Sequence, residues 1–151
     1  MKFWDSSALV ALALAEPSGR DLEKLIAADQ QLAVWWGSRV ECASAVRRRQ
    51  RSGILTSPSA EAALKRIREY QEYAFQVDPT DAVRDRAESL LAGRALTASD
   101  ALQLAAALAW CDGRPSGRGR GLTGIVEQHA RRDQRQALER LAGIAEQFFG
   151  R

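Results

Sequence analysis

Three carboxylates, Asp5, Glu41 and Asp100, stand where the chain is set to begin helices, and side chains of this type can hold a hard cation. Asp5 ends the short run Met1-Lys2-Phe3-Trp4 and is followed by two hydroxyls, Ser6 and Ser7. Glu41 closes Ser38-Arg39-Val40-Glu41 and Asp100 closes Thr97-Ala98-Ser99-Asp100, both with capping-box spacing, although Asp replaces the preferred Glu in the second. A structural role is therefore open to all three, since Asp and Ser are favoured helix caps. The chemical role depends on convergence. Carboxylates brought together repel and raise each other's pKa unless a cation lies among them, and oxygen-only ligands suit Mg²⁺ or Mn²⁺ better than zinc.

The elements around these acids alternate strand and helix, which argues for an α/β fold with a parallel sheet. Met1 to Trp4 reads as a buried central strand that delivers Asp5 to a sheet edge. Ala8 to Ala15, stopped by Glu16-Pro17, is a short apolar helix, and Ser18 to Asp21 opens a second one with Leu22, Leu25 and Ile26 on one side. Gln31 to Trp36 is a strand closed by Gly37. The helix after it carries Glu41 and a stripe of Val40, Ala43 and Val46. Ser57 starts a further helix with Leu64, Ile67 and Tyr70 to Tyr73 on one face. Phe75 to Val77 is a brief strand, and Thr80-Asp81 caps a helix ending at Gly93. Residues 101–110 form the clearest helix, apolar on all sides and so buried. Leu122 to Val126 reads as a last strand and Arg131 to Phe149 as a terminal helix. In a doubly wound sheet, helices that follow parallel strands start at the same edge, so acids from distant parts of the chain can meet there.

With 151 residues the chain fits one domain, residues 1–151, large enough to cover a sheet on both faces. Its formal charge is +3, and Lys occurs only at positions 2, 24 and 65, so Arg supplies the remaining cations. Arg forks suit phosphate, which mildly favours an anionic partner. Two cysteines and one histidine, His129, cannot build the usual four-ligand structural zinc site. A reducing cytoplasm is the expected compartment. Ala13-Leu14-Ala15 has the form of a signal-peptidase site, but Asp5, Ser6 and Ser7 interrupt the segment before it. No apolar run approaches the ~20 residues of a membrane span.

Three motifs in fixed order make the reading specific. Hydrophobic-Asp5-Ser6-Ser7, Val40-Glu41-Cys42-Ala43-Ser44-Ala45, and Leu96-Thr97-Ala98-Ser99-Asp100-Ala101 continuing to Ala107 resemble the successive motifs of the PIN-domain ribonucleases. The compact length resembles the VapC-type toxins of bacterial toxin–antitoxin pairs. The resemblance covers Met1 to about Trp110. It implies a three-layer α/β/α sandwich with a central parallel sheet and a Mg²⁺- or Mn²⁺-dependent endoribonuclease site. Asp5, Glu41 and Asp100 then match the family's metal-holding and catalytic acids, supported by Ser6 and by Thr97. The implied partners are an RNA substrate and a cognate antitoxin, with a homodimer or a toxin–antitoxin hetero-oligomer as the assembly and no membrane.

The chain departs from that pattern after Arg120. A further acid, commonly preceded by Thr or Ser, usually follows the family's fourth strand, whereas this chain reads Leu122-Thr123-Gly124-Ile125-Val126-Glu127. Glu127 is the nearest candidate for a fourth ligand. This departure supports the alternative function, a catalytically impaired PIN-fold binding protein. An aspartyl-phosphate phosphatase is set aside because Ser7 stands where its second Asp belongs. Arg47 and Arg48, with Arg118 and Arg120, form either an RNA-binding rim or a solvated face. Trp35, Trp36 and Trp110 read as core or interface aromatics, Cys42 and Cys111 as small core residues, and His129 as a surface residue.

Overall fold

In the computed structural model, which describes residues 1–16, 19–93 and 95–112, alternation of side chains along two short strands decides the layers. The elements run β1 (Lys2–Trp4), α1 (Ser6–Ala13), α2 (Gly19–Ala28), β2 (Leu32–Trp35), α3 (Ser38–Arg51), α4 (Ser57–Glu72), β3 (Phe75–Val77), α5 (Asp81–Gly93) and α6 (Ala98–Asp112). The strands are parallel in the order β1-β2-β3, with Trp4 level with Val34 and Trp35 level with Val77. Trp4, Leu32 and Val34 enter one core with α1, α3 and α4. Phe3, Ala33, Trp35 and Val77 enter a second core with α5 and α6. Helices thus cover both faces of the sheet, giving the expected three-layer α/β/α arrangement. Complete burial of side chains such as Trp4 and Leu9 stabilises the fold by roughly 1.5–3 kcal/mol each.

Among the described residues β2, not β1, is the middle strand. The strand expected over Leu122 to Val126 and the helix after it lie outside the described residues. The stripe expected on α3 holds only in part. Val46 is fully buried and Ala43 packs against the core, but Val40 is 68% exposed and Cys42 takes its place inside; α3 also begins one residue earlier than a cap at Ser38 would require.

α6 packs against β2 and β3 because its inner surface is Ala101, Ala105, Ala106 and Ala107, whose small side chains permit close approach. Residues 101–108 include one polar side chain, Gln103, and it is buried. No helix of the described residues is long and apolar enough to cross a membrane.

Gly37 joins β2 to α3 at a place where a side chain has no room. A Cβ there would run into the indole of Trp35. Gly37→Ala is therefore expected to destabilise the chain by about 1–3 kcal/mol, as overpacking does. Thermal unfolding of the variant checks it, and an unchanged midpoint would show that Trp35 can move aside freely.

Candidate active site

Each of the three acids stands at the start of a different helix, Asp5 as the cap of α1 and Glu41 and Asp100 in the first turns of α3 and α6. Asp5 leaves β1 in an extended conformation, φ −72° and ψ 153°, and caps α1 by accepting from the Ser7 backbone N–H. Its Oδ1 takes that N–H at 2.8 Å and the Ser7 hydroxyl at 2.5 Å. Solvent reaches part of its surface, but protein surrounds the carboxyl. This burial pushes its pKa above the ordinary carboxylate range, the Ser7 bonds oppose the shift, and the charges of Glu41 and Asp100 add to it. The capping role and electrostatic contact with the other two acids therefore coexist in Asp5.

The α3 helix starts differently from the expected capping box. Gly37 occupies the cap position and offers no side chain, so Ser38 turns inward and is fully buried. Glu41 also turns away from the helix start. Its Oε2 accepts from the Ser6 hydroxyl at 2.6 Å and from the Gln103 amide Nε2 at 2.7 Å. The same Nε2 lies 2.5 Å from the Ser6 Oγ and 3.2 Å from the Ser38 Oγ. One buried amide thereby ties α1, α3 and α6 together. Reversing it would set its carbonyl oxygen against the Glu41 carboxylate, so the orientation is fixed by charge. Gln103 Oε1 is buried without a partner among the described residues, an arrangement that costs about 1–3 kcal/mol.

At the start of α6 the expected box is present. Thr97 Oγ1 donates to Asp100 Oδ2 at 2.8 Å and accepts from the Asp100 N–H at 3.2 Å. The Thr97 N–H reaches the same Oδ2 at 3.4 Å. Thr97 thus positions Asp100.

The three carboxylates share a pattern. In each, the hydrogen bonds fall on one oxygen, Asp5 Oδ1, Glu41 Oε2 and Asp100 Oδ2, leaving Asp5 Oδ2, Glu41 Oε1 and Asp100 Oδ1 uncommitted among the described residues. Hard oxygen donors of this kind fit Mg²⁺ or Mn²⁺. As placed, however, no three acidic, histidine or cysteine side chains among the described residues are close enough to hold one ion between them. Mg²⁺ usually takes one or two carboxylates and fills its shell with water, so the donor set is compatible with an ion held by fewer than three acids.

Cys42 lies directly beneath this group and its thiol donates to the Ser6 carbonyl at 3.5 Å. Burial, then the charges of Asp5 and Glu41, push its pKa up to about 12, so it is an inert core thiol.

The arginine run sits elsewhere. Arg47 and Arg48 lie about 9–10 Å further along α3 than Glu41, toward the opposite end of the helix. Arg47 is also engaged, with Glu61 at 2.7 Å and Gln50 at 2.9 Å. Arg118, Arg120, Glu127 and His129 lie outside the described residues. Two features of the region escaped the sequence reading. Gln103 gave a signal in being the lone polar residue within an apolar helix, three positions after Asp100. Trp36, read with Trp35 and Trp110 as a core or interface aromatic, is not in the core: it is 51% exposed, whereas Trp35 is buried and Trp110 packs on Phe3.

The family model of the PIN domain matches residues 2–110. No curated protein matches the chain.

Proposed function

The chain belongs to the PIN-domain family, whose members are typically nucleases that use divalent metal ions, and from this premise we propose that it is a Mg²⁺- or Mn²⁺-dependent endoribonuclease, the toxin of a type II toxin–antitoxin pair. The observation that carries the reading is the set of three uncommitted carboxylate oxygens at three helix starts, with Asp5 already feeling the charge of the other two. One or two of Asp5, Glu41 and Asp100 would hold the ion directly, with water filling the rest of its shell. When bound, it lowers the pKa of an attacking water and offsets charge developing on the scissile phosphate.

The residues around the acids act by position. The Ser7 hydroxyl and N–H fix one oxygen of Asp5, Ser6 and Gln103 fix one of Glu41, and Thr97 fixes one of Asp100. Each carboxylate thus keeps its free oxygen in a set direction without using the charge it needs for the cation. No protein nucleophile is required, and the high pKa of Cys42 keeps its thiol out of the reaction.

The likeness to VapC-type toxins supports a cytoplasmic partner protein that blocks the acids with an Arg or Lys, and a homodimer or a toxin–antitoxin hetero-oligomer as the assembly. Purified chain is expected to cut labelled single-stranded RNA with Mg²⁺ or Mn²⁺ and to stop on addition of EDTA. RNA that is bound but left intact with every divalent ion tried would favour the non-cutting binding protein instead.

A further inference from the structure

The helices on the α1, α3 and α4 side of the sheet stop short of covering it. Between the start of α3 and the end of α4 they leave a groove of about 350 Å³. Val34 and Gln76, neighbours in register on β2 and β3, belong to its lining together with the exposed indole of Trp36. Arg39 from the first turn of α3 and Arg68 from α4 flank it, and Glu72 is the one acid in its lining. Neither arginine forms an ion pair among the described residues, although other arginines on these helices do, such as Arg47 and Arg49.

An exposed aromatic side chain that shares a groove with two guanidinium groups left without ion pairs among the described residues is an arrangement that single-stranded nucleic acid can use. Bases of any identity stack on the ring, and the backbone phosphates meet the cations. The location agrees with this use. Trp36 lies one residue beyond the level of Asp5 at the carboxyl edge of the sheet, in the two-residue turn that leads into α3, whose first turn carries Glu41. A second copy of the chain is a poorer occupant. A two-fold contact sets a patch against itself, which would bring Arg39 and Arg68 against the same groups of the other copy with only Glu72 to offset them.

We propose that this groove is a nucleotide subsite, in which one base of a single-stranded RNA stacks on Trp36 while the phosphates on either side bond to Arg39 and Arg68. The subsite rests on the ribonuclease reading for its ligand, yet it can be tested apart from cleavage.

The test measures binding of a short fluorescein-labelled oligouridylate to the full chain in EDTA by anisotropy. Trp36→Ala is expected to weaken binding about tenfold, and Trp36→Phe to retain most of it, because a phenyl ring still stacks. Arg39→Gln and Arg68→Gln are each expected to lower the salt-dependence slope by about 0.7, the value for one phosphate contact on a single strand. Affinity that is unchanged in Trp36→Ala overturns the proposal. So does equal binding of an oligomer made abasic, or no binding by the unaltered chain. A Trp36→Ala variant whose mass halves in sedimentation while its RNA affinity is intact would assign the groove to contact between copies and also overturn it. If Trp36-dependent binding is found but no divalent ion supports cleavage, the subsite stands and the nuclease reading falls. If cleavage is found and Trp36→Ala binds and cuts as before, the subsite alone falls.

Discussion

Asp5→Asn is expected to reduce Mg²⁺- or Mn²⁺-supported RNA cleavage by about a thousandfold, roughly 4 kcal/mol of transition-state stabilisation, while leaving the fold intact. The substitution separates the two roles of this residue. Asn caps a helix about as well as Asp, so its Oδ1 can still accept from the Ser7 N–H, but it brings no charge to a cation. Stability supplies the second readout. Burial chiefly, with Glu41 and Asp100 adding, raises the pKa of Asp5 in the folded chain, so between the ordinary carboxylate value and the raised one the folded state binds more protons than the unfolded state. Metal-free stability must then fall as pH rises through that window. Asp5→Asn does not titrate. It should match the unaltered chain in acid and equal or exceed its unfolding temperature at pH 8 in EDTA. A variant that melts well below the unaltered chain at pH 8, or that still cuts RNA, would make Asp5 a cap without a catalytic role.

Gln103→Glu is expected to be the most damaging conservative change for stability, at about 3 kcal/mol near neutral pH. It puts a second carboxylate where the amide now donates to Glu41 at 2.7 Å, and the new acid is buried with no ion-pair partner among the described residues. Its pKa would be raised by burial and by Glu41, so the loss is present above that raised pKa and is recovered as pH falls below it. Gln103→Leu behaves differently. It removes the donor without adding charge, and Glu41 is half-exposed enough to take water instead, so about 1–3 kcal/mol is lost with no comparable recovery in acid. Cleavage by Gln103→Leu should fall about 10- to 100-fold, the usual effect of removing a group that orients a metal ligand. Denaturant unfolding at two pH values decides the matter. A Gln103→Glu chain as stable as the unaltered one at pH 8 would mean that the amide is not held against Glu41.

The layers of the fold were legible because strands and helices leave different periods in the sequence. Phe75 to Val77, only three residues, is strand as expected, and the cap at Thr97 with Asp100 has the bonds its spacing implies. The failures arise where tertiary packing overrides a local pattern. Ser38 and Glu41 have capping-box spacing, but Gly37 takes the cap because only a residue without a side chain fits against Trp35, and both Ser38 and Glu41 then face Gln103. Val40 is exposed while Cys42 and Val46 carry the inner face of the helix. Trp36 could not be separated from Trp35 by composition, since the strand ends between them, at Trp35, and only the extent of the covering helices determines which one meets solvent. The acids of the site were legible as helix starts. Their fixed oxygens were not, because those depend on contacts between remote segments.

The bond between Gln103 and Ser6 spans 97 residues of sequence. Helices such as α3 and α4 close their own hydrogen bonds locally, whereas a contact between remote segments must offset the entropy of closing a long loop. The group around Glu41 is therefore complete only once residue 103 has joined the fold. A chain emerging from synthesis can contain Asp5 and Glu41, and much of their surrounding core, long before residue 103 is available to lock them. Truncation ahead of α6 would leave two of the three acids in place yet without the amide that sets their geometry, and any chemistry performed there is tied to completion of the sandwich rather than to the presence of its acids.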